Sequence, residues 1–107
     1  MTIGAWLDAR QPAPPENLSA HLRRVLGASL EKPERETVAR CLDAVETLLI
    51  SLRDYPEAGR EVALDLLAAD ALITYAFEAA AEDPLTLAEV AQGAMWRVGT
   101  VAAELEL

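Results

Sequence analysis

Cysteine, histidine and basic residues are scarce in this chain, and each shortage argues against a class of function. The 107 residues include one cysteine and one histidine, so no internal disulfide can form and convergent zinc or di-iron ligands have little support. Lysine and arginine number 9 against 18 aspartates and glutamates, which gives a net charge of −9. Because nucleic-acid binding needs basic side chains to neutralise phosphates, this balance argues against DNA or RNA as a partner.

Long apolar runs are also missing from the sequence. No stretch approaches the roughly 20 apolar residues that cross a bilayer, and the N-terminus lacks the basic segment and apolar run of a secretory signal. We therefore expect a cytoplasmic protein without a membrane span. A hydrophobic content of 52% with 25% charged residues is typical of a folded chain. This length predicts a single helical domain, 1–107.

The acidic charge is concentrated in the second half of the chain. Residues 1–60 hold eight basic and nine acidic side chains, whereas residues 61–107 hold only Arg97 against nine acidic ones. Such an asymmetry could steer a basic partner protein onto the C-terminal half. An acidic surface also keeps a small protein in solution, and the sequence alone leaves both interpretations open.

Proline and glycine divide the sequence into helical segments. An N-terminal segment and proline-rich linker, 1–14, contains a short helix capped by Thr2 and ends in the helix-breaking "QPAPP". Apolar residues at three- and four-residue spacing follow within 15–107, with helix starts favoured at Pro33 and at Asp83. The predicted main helices cover about 15–26, 33–52, 57–82 and 84 onward. We therefore predict an all-α fold, a small four-helix bundle with a short fifth helix at its N-terminus.

The single histidine and the single cysteine are both interpreted as structural residues. His21 lies at the edge of an apolar stripe, and Cys41 lies on or beside the core stripe of its helix. The sequence contains no glycine-rich phosphate loop and no recognisable nucleophile arrangement. We therefore predict a protein with no cofactor, no metal site and no catalytic residues.

Protein–protein contact is the function that this composition favours. The helix predicted over 57–82 is apolar nearly all round, and Gly93 and Gly99 interrupt an otherwise helical pattern, which is typical of close backbone packing within this subunit or against another. We predict a non-catalytic protein that self-associates as a homodimer. Trp6 and Trp96 are open to a second interpretation as core residues. The candidate contact residues are Trp6, Leu67, Ile73, Tyr75, Phe77, Trp96 and Val101.

Asp70 stands in the middle of the most apolar helix. The helical stripe that contains it is polar from Asp70 to Glu78, whereas the earlier polar positions, Glu61 and Asp65, lie on roughly the opposite side. This pattern predicts that the helix changes its solvent-facing side halfway along and that Asp70 and Glu78 are solvated. A buried Asp70 would instead need hydrogen bonds or a cationic partner.

The same residues carry a resemblance to a known family. "LAADALITYAFEAAA" (67–81) resembles the helix of isoprenyl (polyprenyl) diphosphate synthases that commonly reads Leu-Ala-Gly-Asp-Ala-Leu-Leu-x-x-Ala-Phe-Glu, and "AVETLLISLRDY" (44–55) is similar to their helix before the first aspartate-rich motif. Those enzymes hold magnesium with two such motifs, whereas this chain has only Asp54 at the first and no counterpart of the second. The resemblance therefore implies an apolar, isoprenoid-like ligand carrier or a degenerate relative. The matching residues are Leu67, Ala68, Asp70, Ala71, Leu72, Ala76, Phe77 and Glu78.

Overall fold

Five α-helices make up the part of the chain that the structure describes. The structure, a computed structural model, describes residues 1–54, 59–82 and 84–104, without the side chains of 84–86 and 90. The predicted all-α fold, with four main helices and a short N-terminal one, is confirmed. The helices are α1 (Ile3–Asp8), α2 (Glu16–Leu26), α3 (Thr37–Asp54), α4 (Arg60–Ala81) and α5 (Pro84–Glu104), with 3-10 helices at Gly27–Glu31 and Glu34–Glu36.

The core forms where α4 packs along α3. These two helices make the most extensive contacts in the described residues, and α2 and α5 also contact both of them. The buried positions of α4 are mostly alanines, and because small side chains let helix axes approach closely, α3 can supply the larger groups. The buried residues of α4 are Ala68, Ala69, Leu72, Ala76 and Ala80, and those of α3 are Thr37, Cys41, Leu42, Val45 and Leu48.

The start of α3 differs from its prediction. The sequence favoured a helix from Pro33, but α3 begins at Thr37, and Pro33 is extended with φ −63° and ψ 148°. The 3-10 helix Glu34–Glu36 leads directly into α3, so helical structure begins one residue after Pro33. Beside this start, Thr2 forms an antiparallel bridge with Pro33 and the Ile3 N–H donates to the Lys32 carbonyl at 2.9 Å.

Other predicted boundaries agree with the structure where it describes them. Thr2 caps α1, since its hydroxyl oxygen accepts from the Ala5 N–H at 3.2 Å. Gly27 ends α2 with φ +50°, a left-handed value that favours glycine. The predicted helix start at Glu57 and the predicted cap at Asp83 lie outside the described residues.

Candidate functional site

Arg97 fixes the rotation of α5 about its own axis by binding to α3. Arg97 donates from Nε to Glu46 Oε2 and from Nη2 to Asp43 Oδ1, both at 2.8 Å, and both carboxylates belong to α3. Burial acts to lower the pKa of Arg97, but the hydrogen bonds and charges of Glu46 and Asp43 outweigh it and raise the pKa overall. Ala94 and Val101 are buried on the same side of the helix. These contacts determine which face of α5 points outward.

The opposite side of α5 is exposed and largely apolar. Trp96 and Met95 remain 72% and 73% exposed, which is unusual for such large apolar side chains. Around them lie small or polar residues and one acid, Glu89. The other exposed acid of α5, Glu104, accepts a hydrogen bond from Arg53 of α3 and is not counted in the set. We call this set the outer face of α5, and it consists of Ala88, Glu89, Gln92, Gly93, Met95, Trp96, Gly99, Thr100 and Ala103.

The middle of the outer face follows a heptad-like spacing. Glu89, Gln92, Trp96, Gly99 and Ala103 are separated by alternating steps of three and four residues, the spacing by which one helix packs along another. This spacing is readable in the sequence and could have identified the stripe. It places a large aromatic ring and a glycine one turn apart on the same line.

Gly93 and Gly99 of α5 do not pack closely against another helix of this subunit. Close packing against a neighbouring helix was predicted for them, but a Cβ atom added at Gly93 or at Gly99 would meet nothing within 4 Å. A glycine in a helix interior costs roughly 0.5–1 kcal/mol relative to alanine. No packing within the described residues accounts for that cost.

The structure does not bring the seven candidate contact residues together. Trp96 and Leu67 are exposed on different helices, at 72% and 54%. Trp6 and Val101 are buried inside the chain, so in this fold neither is accessible to a partner. The remaining three candidates, all on α4, are partly buried: Ile73, Tyr75 and Phe77.

Trp6 attaches the N-terminal helix to α4. Its ring meets Tyr75 edge-on with centroids 6.2 Å apart, and its Nε1–H donates to Glu82 Oε1 at 3.0 Å. The guanidinium of Arg10 lies 4.1 Å from the centre of the same ring. The indole is thereby both packed and hydrogen-bonded, which is how a large aromatic with a polar atom is stably buried.

The stripe through Asp70 is solvent-exposed along its whole length. Asp70 and Glu78 are exposed, as predicted. The predicted change of solvent-facing side is wrong, because Ala63 and Leu67 on the same stripe are exposed too. Asp65, on the other side, is instead covered by His21, whose Nε2 lies 2.7 Å from Asp65 Oδ1.

His21 has both ring nitrogens engaged within the chain. Nδ1 lies 3.4 Å from Nη2 of Arg24. Nε2 faces the carboxylate of Asp65. This arrangement stabilises the contact between α2 and α4 and leaves neither nitrogen free for a substrate.

A groove of about 450 Å³ lies beside this pair, between α2, α3 and α4. Its apolar walls include Val25 and Leu48, and its charged members are paired elsewhere. Arg40 donates to Glu36 Oε1 from Nε at 3.2 Å and from Nη2 at 3.0 Å. The charges of the groove are therefore neutralised by the fold itself.

Burial raises the pKa of the Cys41 thiol to about 12, so we expect it to be unreactive in the native protein. At pH 8 only about one molecule in 10,000 would carry the reactive thiolate. A thiol-specific chromogenic reagent should leave Cys41 unmodified in native protein and modify it fully in denaturant. The Ser51→Cys variant, with its added thiol at an exposed position, should give one equivalent at once. Rapid modification of the native parent protein would contradict the prediction.

The described residues contain neither a metal-binding cluster nor a helix suited to a membrane. Within residues 1–54, 59–82 and 84–104, no group of three or more histidine, cysteine, aspartate or glutamate side chains is placed to hold a metal ion. Over the same residues, no helix combines the length and the apolar character needed to cross a membrane.

Fold and site together define a small all-α protein with an exposed apolar helix face. Comparison with family models, with curated proteins and with solved structures finds no match to the chain. Function must therefore be inferred from the residues themselves.

Proposed function

We propose that this is a non-catalytic protein that acts by protein–protein contact and self-associates through the outer face of α5. The observation that carries the proposal is the exposure of Trp96 and Met95, side by side, on a helix whose rotation is fixed from behind by Arg97. Tryptophan and methionine are enriched at protein interfaces, and tryptophan is prominent among the residues that contribute most to binding.

The groups that could do chemistry support a non-catalytic role, because they are already engaged. Both nitrogens of His21 have partners within the chain, and Cys41 is buried with a raised pKa. Self-association also stabilises a folded chain by mass action, which benefits a domain with so small a core.

The alternative, an isoprenoid-like ligand carrier, has no specific observation in its favour. Among the residues that line the groove, only Asp65 belongs to α4. Among those that line a smaller cavity beside α1, only Tyr75 belongs to α4. Of the residues that carry the resemblance, Asp70 and Glu78 face solvent. Asp54 accepts from Nε of its neighbour Arg53 at 3.0 Å.

Sedimentation equilibrium across a wide concentration range tests the proposal. We expect the average mass to rise from monomer toward dimer, and the Trp96→Ser variant to stay monomeric over the range in which the parent protein associates. Leu66→Ser is the matched control, since it removes an apolar side chain that is 53% exposed on α4 and should leave the association unchanged. A parent protein that remains monomeric at every concentration would refute self-association.

A further inference from the structure

We infer that the outer face of α5 binds the same face of a second copy in antiparallel orientation, with Trp96 of each copy seated over the partner's Gly99. This inference rests on the proposed function and specifies its partner and its geometry. It draws on three observations: the spacing of the stripe, the open space at the glycines and the position of the single charge on that stripe.

The direction of a helical side chain sets which residue Trp96 would meet. Long side chains on a helix lean toward its N-terminus. Against an antiparallel helix that crosses at the level of Trp96, this lean points toward the partner's C-terminus, where Gly99 lies three residues, or about 4.5 Å, further along. The ring would then lie over a glycine that leaves room for it.

The contact of Trp96 with the partner's Gly99 occurs twice, once from each copy, as a two-fold interface requires. Such an interface uses one patch on both copies, so that patch must be complementary to itself. The stripe supplies both halves, an exposed ring at Trp96 and an open position at Gly99. The pairing also gives Gly99 a role. In the single chain, a Cβ atom added at Gly99 would meet nothing within 4 Å, so packing there does not require a glycine.

Charge favours the antiparallel arrangement and a second copy as the occupant. Glu89 lies seven residues, or about 10 Å, from Trp96 along the axis. In the antiparallel pair each Glu89 faces the partner's Ala103, and the two Glu89 carboxylates are separated by about 20 Å, well beyond the Debye length of about 8 Å at physiological salt. The acid next to Ala103, Glu104, is neutralised by Arg53 of its own chain. A parallel pair would place the two Glu89 carboxylates side by side. A basic partner would find only this one acid on the outer face.

Cysteine cross-linking tests the orientation in the full chain. Glu89→Cys and Ala103→Cys are made separately, at two exposed positions, with the buried Cys41 retained in both. On mild oxidation we expect a covalent dimer from a mixture of the two variants and none from either alone. Efficient cross-linking of each variant to itself would show a parallel pair, and a dimer in solution that cross-links in no combination would place the interface elsewhere. Both outcomes overturn the inference and leave the proposed self-association standing.

Substitution of Gly99 tests the contact between the Trp96 ring and the partner's Gly99. Gly99→Gln adds a better helix former at an open position, so the monomer should unfold at a higher denaturant concentration than the parent protein. The same variant fills the space over which Trp96 would lie, so the dimer should dissociate at a concentration at least tenfold higher. Ala63→Gln, at an exposed site on α4, should leave dimerisation unchanged. A Gly99→Gln variant that dimerises like the parent protein would refute the seating, whereas a monomeric parent protein would refute the proposed function itself.

Discussion

Replacing Trp6 with alanine should lower the free energy of unfolding by about 3–5 kcal/mol, the usual range for a buried aromatic truncated to alanine. The indole is only 1% exposed, and it contacts residues from two other parts of the chain. Its loss would remove the edge-on contact with Tyr75 and leave Glu82 without the Nε1–H donor. Urea denaturation followed by circular dichroism measures the effect.

Trp96→Ala is the matched control for this experiment. It deletes the same side chain from a position that is 72% exposed, and a surface substitution of this kind changes stability by about 0.5 kcal/mol or less. Both variants should be measured at protein concentrations below the onset of association, so that unfolding of the monomer alone is compared. Equal losses in the two variants would contradict the difference in burial on which the prediction depends.

The two tryptophans show where the sequence stops being informative. Each stands in a segment with helical apolar spacing, and nothing local distinguishes the buried ring from the exposed one. Burial of Trp6 depends on Tyr75 and Glu82, which lie about 70 residues away, and only the assembled fold places them together. Exposure of Trp96 depends on Arg97, which turns toward Glu46 and points the adjacent residue outward.

The helices themselves could be predicted because their signals are local. Thr2 caps α1 as predicted, and α2 ends at Leu26, the predicted boundary. The bridge between Thr2 and Pro33 could not be predicted, since it joins residues that are distant in sequence. The solvation of Asp70 followed from its stripe. The error about Asp65 arose because the sequence gives no sign that His21 approaches it.

Leu72→Ala should be the second strongly destabilising change, with an expected loss of about 2–5 kcal/mol. Leu72 is 0% exposed, and it is the largest of the buried side chains of α4, which otherwise lines the core with alanines. Because the alanines allow α4 to lie close to α3, the surrounding backbone has little freedom to collapse into the space left by the deleted atoms. The lost burial and the remaining cavity both add to the cost. Thermal or urea unfolding of the purified variant measures it.

The same substitution five residues earlier on α4 separates packing from helix propensity. Leu67→Ala also exchanges leucine for alanine within the helix, so the change in intrinsic propensity is the same, but Leu67 is 54% exposed and its loss leaves no cavity in the core. We expect this variant to stay within about 0.5 kcal/mol of the parent protein. Comparable losses at both positions would mean that a partner covers Leu67 or that α4 is not oriented as described, and the average mass of Leu67→Ala in sedimentation would distinguish these causes. A large difference between the two variants would establish that Leu72 faces the core and that Leu67 faces solvent.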